Sequence, residues 1–168
     1  WRRWDSFAVE RAVALALGGL KTTRSIEFPV GHPDDCRAMF DPLTYQGGAS
    51  ILRMFEQYLG PDVFQQGVAR YIQKHAYGNT ETKDLFCALS EASGEDVDAL
   101  MRDWIFSPGY PFLRVLKGDG YISLSQNRFL YLELPPETSE QRWVIPVGVR
   151  YKNREGVQDV KHLMAGDH

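Results

Sequence analysis

The chain has 168 residues, 43% hydrophobic and 24% charged, which is ordinary globular composition and long enough for one domain plus part of another. Its net charge of −3 and pI near 5.8, with Lys and Arg scattered rather than striped among aromatics, argue against a nucleic-acid binder. No apolar run approaches the ~20 residues that would span a bilayer.

Trp1-Arg2-Arg3-Trp4 leads into a mixed helix rather than a secretory leader, and a first residue other than Met suggests a piece of a longer polypeptide. The first predicted helix covers residues 4–20. Its second half, Val13-Ala14-Leu15-Ala16-Leu17, is apolar on every side, so it is expected to be buried all round or packed against something outside the chain. Gly18 and Gly19 weaken its end. Residues 21–30 read as extended, with Pro29 and Pro33 keeping them out of helix. Asp34 and Asp35 then lead a short helix toward Phe40.

Asp41 and Pro42 predict a turn, and Gly47 and Gly48 leave the backbone beside Tyr45 open to close approach. Ile51, Leu52, Phe55, Tyr58 and Leu59 follow at helical spacing and describe a buried face. Tyr45 thus stands where a loop passes into a helix, a position suited to holding a hydroxyl still. Taken alone it reads as a core tyrosine with one satisfied hydroxyl.

Gly60 stops that helix and Pro61 opens the next, with Phe64, Val68, Tyr71, Ile72 and His75 on one face. Tyr77-Gly78-Asn79 is a turn, and Thr80 or Thr82 is expected to cap a helix that carries Leu85, Phe86 and Leu89 and ends by Gly94. Val97, Leu100, Met101 and Trp104 mark a further helix. The pattern predicts antiparallel helices with short loops up to this point.

Pro108-Gly109-Tyr110-Pro111 changes the texture. β-type runs follow at residues 112–116, 121–125, 129–134, 143–151 and 157–163, separated by turn residues and by Pro135-Pro136. This is a second, β-rich module, small for an independent sandwich of about 100 residues. No internal repeat or low-complexity segment occurs.

Residue chemistry alone assembles no active site. His32, His75, His162 and His168 form no pair at helical spacing and no H-E-x-x-H arrangement. His75 reads as a helix C-terminal histidine, and the pairs Asp34-Asp35 and Glu95-Asp96 as helix N-terminal carboxylates. Gly47-Gly48 lacks the spacing and the Lys-Ser/Thr ending of a phosphate loop. Cys36 and Cys87 fit neither a zinc ribbon nor a disulfide framework, and are expected to be free, largely buried thiols in a reducing compartment such as the cytoplasm.

Three passages nevertheless form a recognisable series. The run D-P-L-T-Y-Q-G-G-A-S-I-L-R from Asp41 to Arg53 resembles the Y-x-K-G-A-x-x-L segment of aminopeptidase-N-like zinc metallopeptidases, the gluzincin aminopeptidases. His75-Ala76-Tyr77-Gly78-Asn79-Thr80 followed by Asp84-Leu85-Phe86 resembles that family's H-x-Y-G-N-x-x-x-x-D-L-W. Trp104 with Pro108-Gly109-Tyr110-Pro111 resembles its W-x-x-x-P-G-Y-P, where helices give way to a β-sandwich. Gln126-Asn127-Arg128-Phe129 and Trp143-Val144-Ile145-Pro146 are similar to its sandwich strands. Two positions depart: the usual Lys is Gly47, and the segment often written S-S-H-P-I is Thr22-Thr23-Arg24-Ser25-Ile26, to which no chemistry is assigned.

The resemblance implies an α+β fold. Residues 1–111 would be an antiparallel α-helical subdomain, the C-terminal half of a thermolysin-like catalytic domain, and residues 112–168 part of a β-sandwich. It also implies that the parent is a zinc-dependent aminopeptidase acting on peptides with a free N-terminus. The G-x-M-E-N loop, the H-E-x-x-H helix and the downstream glutamate ligand would precede Trp1. Tyr45 would then be the catalytic residue retained here, a phenol stabilising the tetrahedral oxyanion. No metal ligand is expected in this chain, which alone would be inactive and would depend on the remaining domains of its polypeptide. Two rivals stand beside this reading. One is a non-catalytic interaction or scaffold module of an inactive homologue, which Gly47 favours. The other is a helical adaptor, for which no repeat of about 34 residues speaks.

Overall fold

The computed structural model describes residues 3–132 and 140–166. Helix α1 (Arg3–Gly18) comes first, then an irregular stretch and a 3₁₀ helix at Pro33–Met39. A π-helical turn at Leu43–Gly47 runs into α2 (Gly48–Leu59), followed by α3 (Pro61–Lys74), α4 (Thr82–Ser93) and α5 (Val97–Phe106). Strands β1 (Pro111–Lys117), β2 (Ile122–Arg128), β3 (Ile145–Asn153) and β4 (Gly156–Met164) form two antiparallel hairpins, β1–β2 and β3–β4. The fold is α+β.

The expected helical core is present. Ile51 and Phe55 of α2, Phe86 and Leu89 of α4, and Val97, Leu100, Met101 and Ile105 of α5 form one buried cluster, with Phe64 and Val68 of α3 packed against it. Their 3.6-residue spacing puts each set on one helix face, and burial of that face rather than propensity stabilises helices this short. Gly60 (φ 94°) and Gly94 (φ 74°) terminate α2 and α4 with the positive φ that glycine tolerates.

Helices α3 and α4 run in opposite directions, since His75 faces Asp84 at one end of the pair and Gly67 faces Leu89 midway. Gly67 is what lets them close. A Cβ there would stand 2.7 Å from Leu89 Cδ2, 3.1 Å from Leu89 Cα and 3.3 Å from the Ala88 carbonyl oxygen. Gly67→Ala is therefore expected to cost about 1–3 kcal/mol in spite of alanine's higher helix propensity, because backbone atoms cannot step aside as a side chain can. Gly48→Ala is the control. Nothing lies within 4 Å of its Cβ position and its backbone is already helical (φ −57°), so that change should stabilise by about 0.5–1 kcal/mol. Urea midpoints of both variants of the full-length protein check the pair.

A second cluster holds the hairpins to the helices. Trp143, Ile145 and Met164 are buried, with Trp104, Leu113, Leu124 and Val147 packed around them. The Trp104 indole N–H donates to the Val144 carbonyl at 2.7 Å. Gln126 is 2% exposed, donates from Nε2 to the carbonyls of Trp143 (2.9 Å) and Gly166 (2.8 Å), and accepts the Trp143 N–H at Oε1 (3.1 Å). That one amide satisfies three backbone groups that no strand pairs. Lys161 of β4 reaches the carbonyls of Gln57 and Tyr58, joining the second hairpin to the C-terminal end of α2.

Several expectations are corrected. Of the two expectations for α1, burial all round does not hold, since Ala14 and Gly18 are its buried residues while Val13 and Leu15 are exposed; packing against something outside the chain is left open. Residues 21–30 stay out of helix as expected and form no regular element, with the Glu27 N–H donating to the Ile105 carbonyl. Ile72 is exposed rather than facing the core. Glu81 occupies the N-cap of α4, its N–H donating to Asp84 Oδ2 at 2.8 Å. The threonine hydroxyls are engaged elsewhere, Thr80 with Tyr71 and Thr82 with Glu27. Cys36 and Cys87 are free but exposed; neither lies on the apolar face of its segment.

The expected strand at 129–134 is absent over its described part, residues 129–132, and residues 133–134 and Pro135-Pro136 lie outside the described residues. The Phe129 N–H pairs instead with the Tyr110 carbonyl and the Tyr131 N–H with that of Gly19. Phe129 stacks on Tyr110 at 5.2 Å and meets Tyr131 edge-on at 5.3 Å. A Cβ at Gly19 would fall 2.8 Å from Tyr131 and 2.9 Å from Phe129. The glycines that end α1 thus make room for this aromatic stack. Trp143 and Val144 precede β3 rather than belonging to it.

Candidate active site

Tyr45 lies inside the π-helical turn, not at a loop–helix junction. Pro42 (φ −62°), Gly47 (φ −64°) and Gly48 (φ −57°) are all in the right-handed helical region, so the chain passes through the widened turn into α2 without a break. Such single π turns occur often at functional sites, because the extra residue pushes a side chain off the ordinary helical register. Tyr45 is 56% exposed, so it is not a core residue. Its ring sits beside Phe40 at 6.1 Å, and its N–H donates to the Asp41 carbonyl at 3.1 Å. Beside it, a Cβ at Gly47 would make only ordinary contact with Ile26 and the Pro42 carbonyl, and the space next to Gly48 is open.

The turn is held from the segment 22–28, a region to which sequence reasoning gives no role. Arg24 Nη2 lies 2.8 Å from Asp41 Oδ1 and donates to the Thr44 hydroxyl (3.1 Å) and the Ala38 carbonyl (3.0 Å). Its Nη1 donates to the carbonyls of Ser25 (2.7 Å) and Ile26 (3.1 Å), and its guanidinium lies 4.5 Å above the Phe28 ring. Asp41 Oδ1 also accepts the Thr44 N–H at 2.9 Å. The Arg24 and Asp41 side chains are 25% and 32% exposed, so the pair is partly desolvated.

Behind this turn is an open cavity of about 340 Å³, walled by Arg24, Leu43, Gly47, Arg53, Trp104 and Tyr110 among others; Tyr45 is not one of its walls. Arg53 lies 4.1 Å above the Trp4 ring and is paired with Glu56. Burial, with Tyr131 nearby, pushes the Tyr110 hydroxyl above the ordinary phenol range, so it stays protonated at neutral pH.

The other expected positions are dispersed. His75 caps the C-terminal end of α3, with Nε2 3.9 Å from Asp84 Oδ1. His32 Nδ1 accepts the Asp34 N–H, and Asp35 accepts the His32 N–H at the start of the 3₁₀ helix. Asp96 caps α5 by accepting the Ala99 N–H. His162 pairs with Val147 across the second hairpin, and His168 lies outside the described residues. Among the described residues no three His, Cys, Asp or Glu side chains converge in a way that could hold a metal ion. The described residues of this chain therefore do not fit a zinc site.

What the arrangement offers chemically is a solvent-facing phenol on a braced turn. A phenol O–H can donate a hydrogen bond to an oxygen that becomes negative during a reaction. It lacks any neighbouring base that would make it a nucleophile among the described residues.

A family model described as the Peptidase family M1 domain matches residues 1–104. Aminopeptidase 2 of Candida albicans is 42% identical over 95% of this chain and 17% of its own length. Aminopeptidase M1 of Arabidopsis thaliana is 38% identical over 98% of the chain and 20% of its own length. Leucyl aminopeptidase of Saccharolobus solfataricus is 42% identical over 77% of the chain and 17% of its own length. The chain thus spans about one fifth or less of the length of these curated relatives.

Proposed function

The chain belongs to peptidase family M1, and on that premise we propose that it is part of a zinc-dependent aminopeptidase that removes residues from the free N-terminus of peptides. Residues 1–111 would complete the helical side of the catalytic domain and residues 112–168 would open a β-sandwich. Relatives named aminopeptidases, similar over most of the chain, support the activity. The zinc would be held by parts of the polypeptide outside these residues and would supply the electrophile.

The role proposed for this chain is that of Tyr45. When a nucleophile adds to the scissile carbonyl, negative charge develops on the carbonyl oxygen. A donor fixed in advance toward that oxygen bonds more strongly as charge builds, so it lowers the barrier without tightening substrate binding. The single observation that carries the assignment is the location of Tyr45. It is an exposed phenol on a π turn in the segment that matches the family motif, with no folding role that its hydroxyl performs among the described residues.

Gly47, in place of the family's usual Lys, favours the scaffold reading, and one experiment separates the two. The full-length protein should hydrolyse an aminoacyl anilide, lose that activity on chelation, and regain it with zinc. The N-acetylated anilide should remain intact. A full-length protein with no hydrolysis at one equivalent of zinc would leave the scaffold reading standing.

A further inference from the structure

We propose that Arg24 is the positioning residue for Tyr45, acting through Asp41 and Thr44 to hold the π turn in its working shape. This rests on the assignment of Tyr45 as the oxyanion donor. Tyr45 has no hydrogen bond from its hydroxyl among the described residues and more than half of its surface is open, so its side chain does not fix its own place. What fixes it is the backbone of residues 41–45. That backbone is tied by two donors, the Thr44 N–H to Asp41 Oδ1 and the Tyr45 N–H to the Asp41 carbonyl.

Both ties depend on where Asp41 sits, and Asp41 is held by Arg24. The guanidinium is built for this task. One nitrogen, Nη2, takes Asp41, the Thr44 hydroxyl and the Ala38 carbonyl, so it grips the turn on both sides of Phe40. The other, Nη1, takes the carbonyls of Ser25 and Ile26, which anchors the fork to its own segment, and Phe28 closes one face. A planar fork with several fixed donors does this at once; a lysine ammonium, a single point of charge, cannot span both sets. The residue two positions after Tyr45 is Gly47, which has no side chain to brace the turn. Among the described residues, Arg24 is accordingly the charged group that braces the turn.

The test uses the full-length enzyme with Arg24→Ala, Arg24→Lys, Tyr45→Phe and the Arg24→Ala/Tyr45→Phe double variant. Arg24→Ala should lower kcat on the order of 10- to 100-fold, the scale of a small misplacement of a catalytic group, with KM within about twofold. Arg24→Lys should recover only part of that loss. On the Tyr45→Phe background, adding Arg24→Ala should cost less than about a further twofold, because the two residues act as one unit. Hydrogen exchange at the Thr44 and Tyr45 amides should quicken in Arg24→Ala while that of α4 and α5 stays as in the wild type.

The proposal is overturned by an Arg24→Ala enzyme whose kcat stays within about twofold of wild type, or by a loss that multiplies in full on the Tyr45→Phe background. If Arg24→Ala fails to fold, Arg24→Lys carries both comparisons. Tyr45→Phe with wild-type kcat would remove the catalytic reading of Tyr45 by itself. The exchange measurement then judges Arg24 separately, and unchanged exchange at Thr44 and Tyr45 would remove the brace as well.

Discussion

Tyr45→Phe in the full-length enzyme is expected to lower kcat by about 10²–10³, or roughly 3–4 kcal/mol of transition-state stabilisation, and to leave KM nearly unchanged. The substitution deletes one hydroxyl and nothing else that the fold uses. The ring keeps its place beside Phe40, the backbone N–H keeps its bond to Asp41, and no hydrogen bond from the phenol is lost among the described residues. Stability should therefore shift by no more than about 0.5 kcal/mol, as for other exposed positions. That separation makes the result interpretable, since a fall in kcat at constant stability and constant KM can come only from an interaction made in the transition state. Steady-state kinetics and a thermal melt on the same preparation decide it. A variant within about threefold of wild type would remove the catalytic role of Tyr45, because the loss of one oxyanion donor costs ~10²-fold or more.

Trp143→Ala is expected to cost about 3–5 kcal/mol, the range for removing a large aromatic from a core that cannot collapse around the gap. Trp143 is 1% exposed and is the residue on which three elements converge. Leu113 and Leu124 of the first hairpin and Val147, Ile145 and Met164 of the second belong to or pack against its cluster, and Trp104 of α5 lies beside it, with the two indoles 6.3 Å apart. Without it the cluster shared by the hairpins and α5 loses its largest buried side chain. Trp143→Phe should cost clearly less. The Trp143 indole N–H is buried with no partner among the described residues, so phenylalanine removes an unsatisfied donor along with the extra volume. Urea unfolding of the full-length protein, followed by circular dichroism, measures both. An alanine variant as stable as the phenylalanine one would contradict the assignment of Trp143 as the joint.

Much of the helical half was legible in the sequence because its signals are local. Ile51 and Phe55, or Leu100 and Met101, announce a buried face by spacing alone, and Gly60 and Gly94 end their helices through a backbone conformation that glycine tolerates. The strands at 112–116 and 157–163 are legible as short β-type runs between turn residues. The run at 129–132 has the same composition and pairs instead with Tyr110 and Gly19, because partner choice is decided by distant residues that periodicity does not carry. The cap of α4 differs for a related reason: Thr80 and Thr82 can each cap, but their hydroxyls are drawn to Tyr71 and Glu27, and Glu81 takes the position.

At the site, the position of Tyr45 in a motif was readable and its setting was not. A π turn adds one residue to a helical loop without any change in hydrophobic pattern, so residues 43–47 look like the approach to a helix rather than part of one. Arg24 was invisible for a different reason. Its link to Thr44 spans 20 positions, and nothing in either segment names the other. The isolated thread Thr22-Thr23-Arg24-Ser25-Ile26 therefore reads as a departure from a pattern, whereas in the fold it is what the turn leans on.

The most direct test of Tyr45 as an oxyanion donor is its effect on a ligand that resembles the tetrahedral state and not the substrate. A peptide analogue carrying a tetrahedral phosphinate in place of the scissile amide should bind the full-length Tyr45→Phe enzyme more weakly by about the factor lost in kcat/KM, on the order of 10²–10³. An inhibition constant unchanged from wild type, beside a reduced kcat, would mean that the phenol makes no bond to the tetrahedral oxygen, and would contradict the assignment.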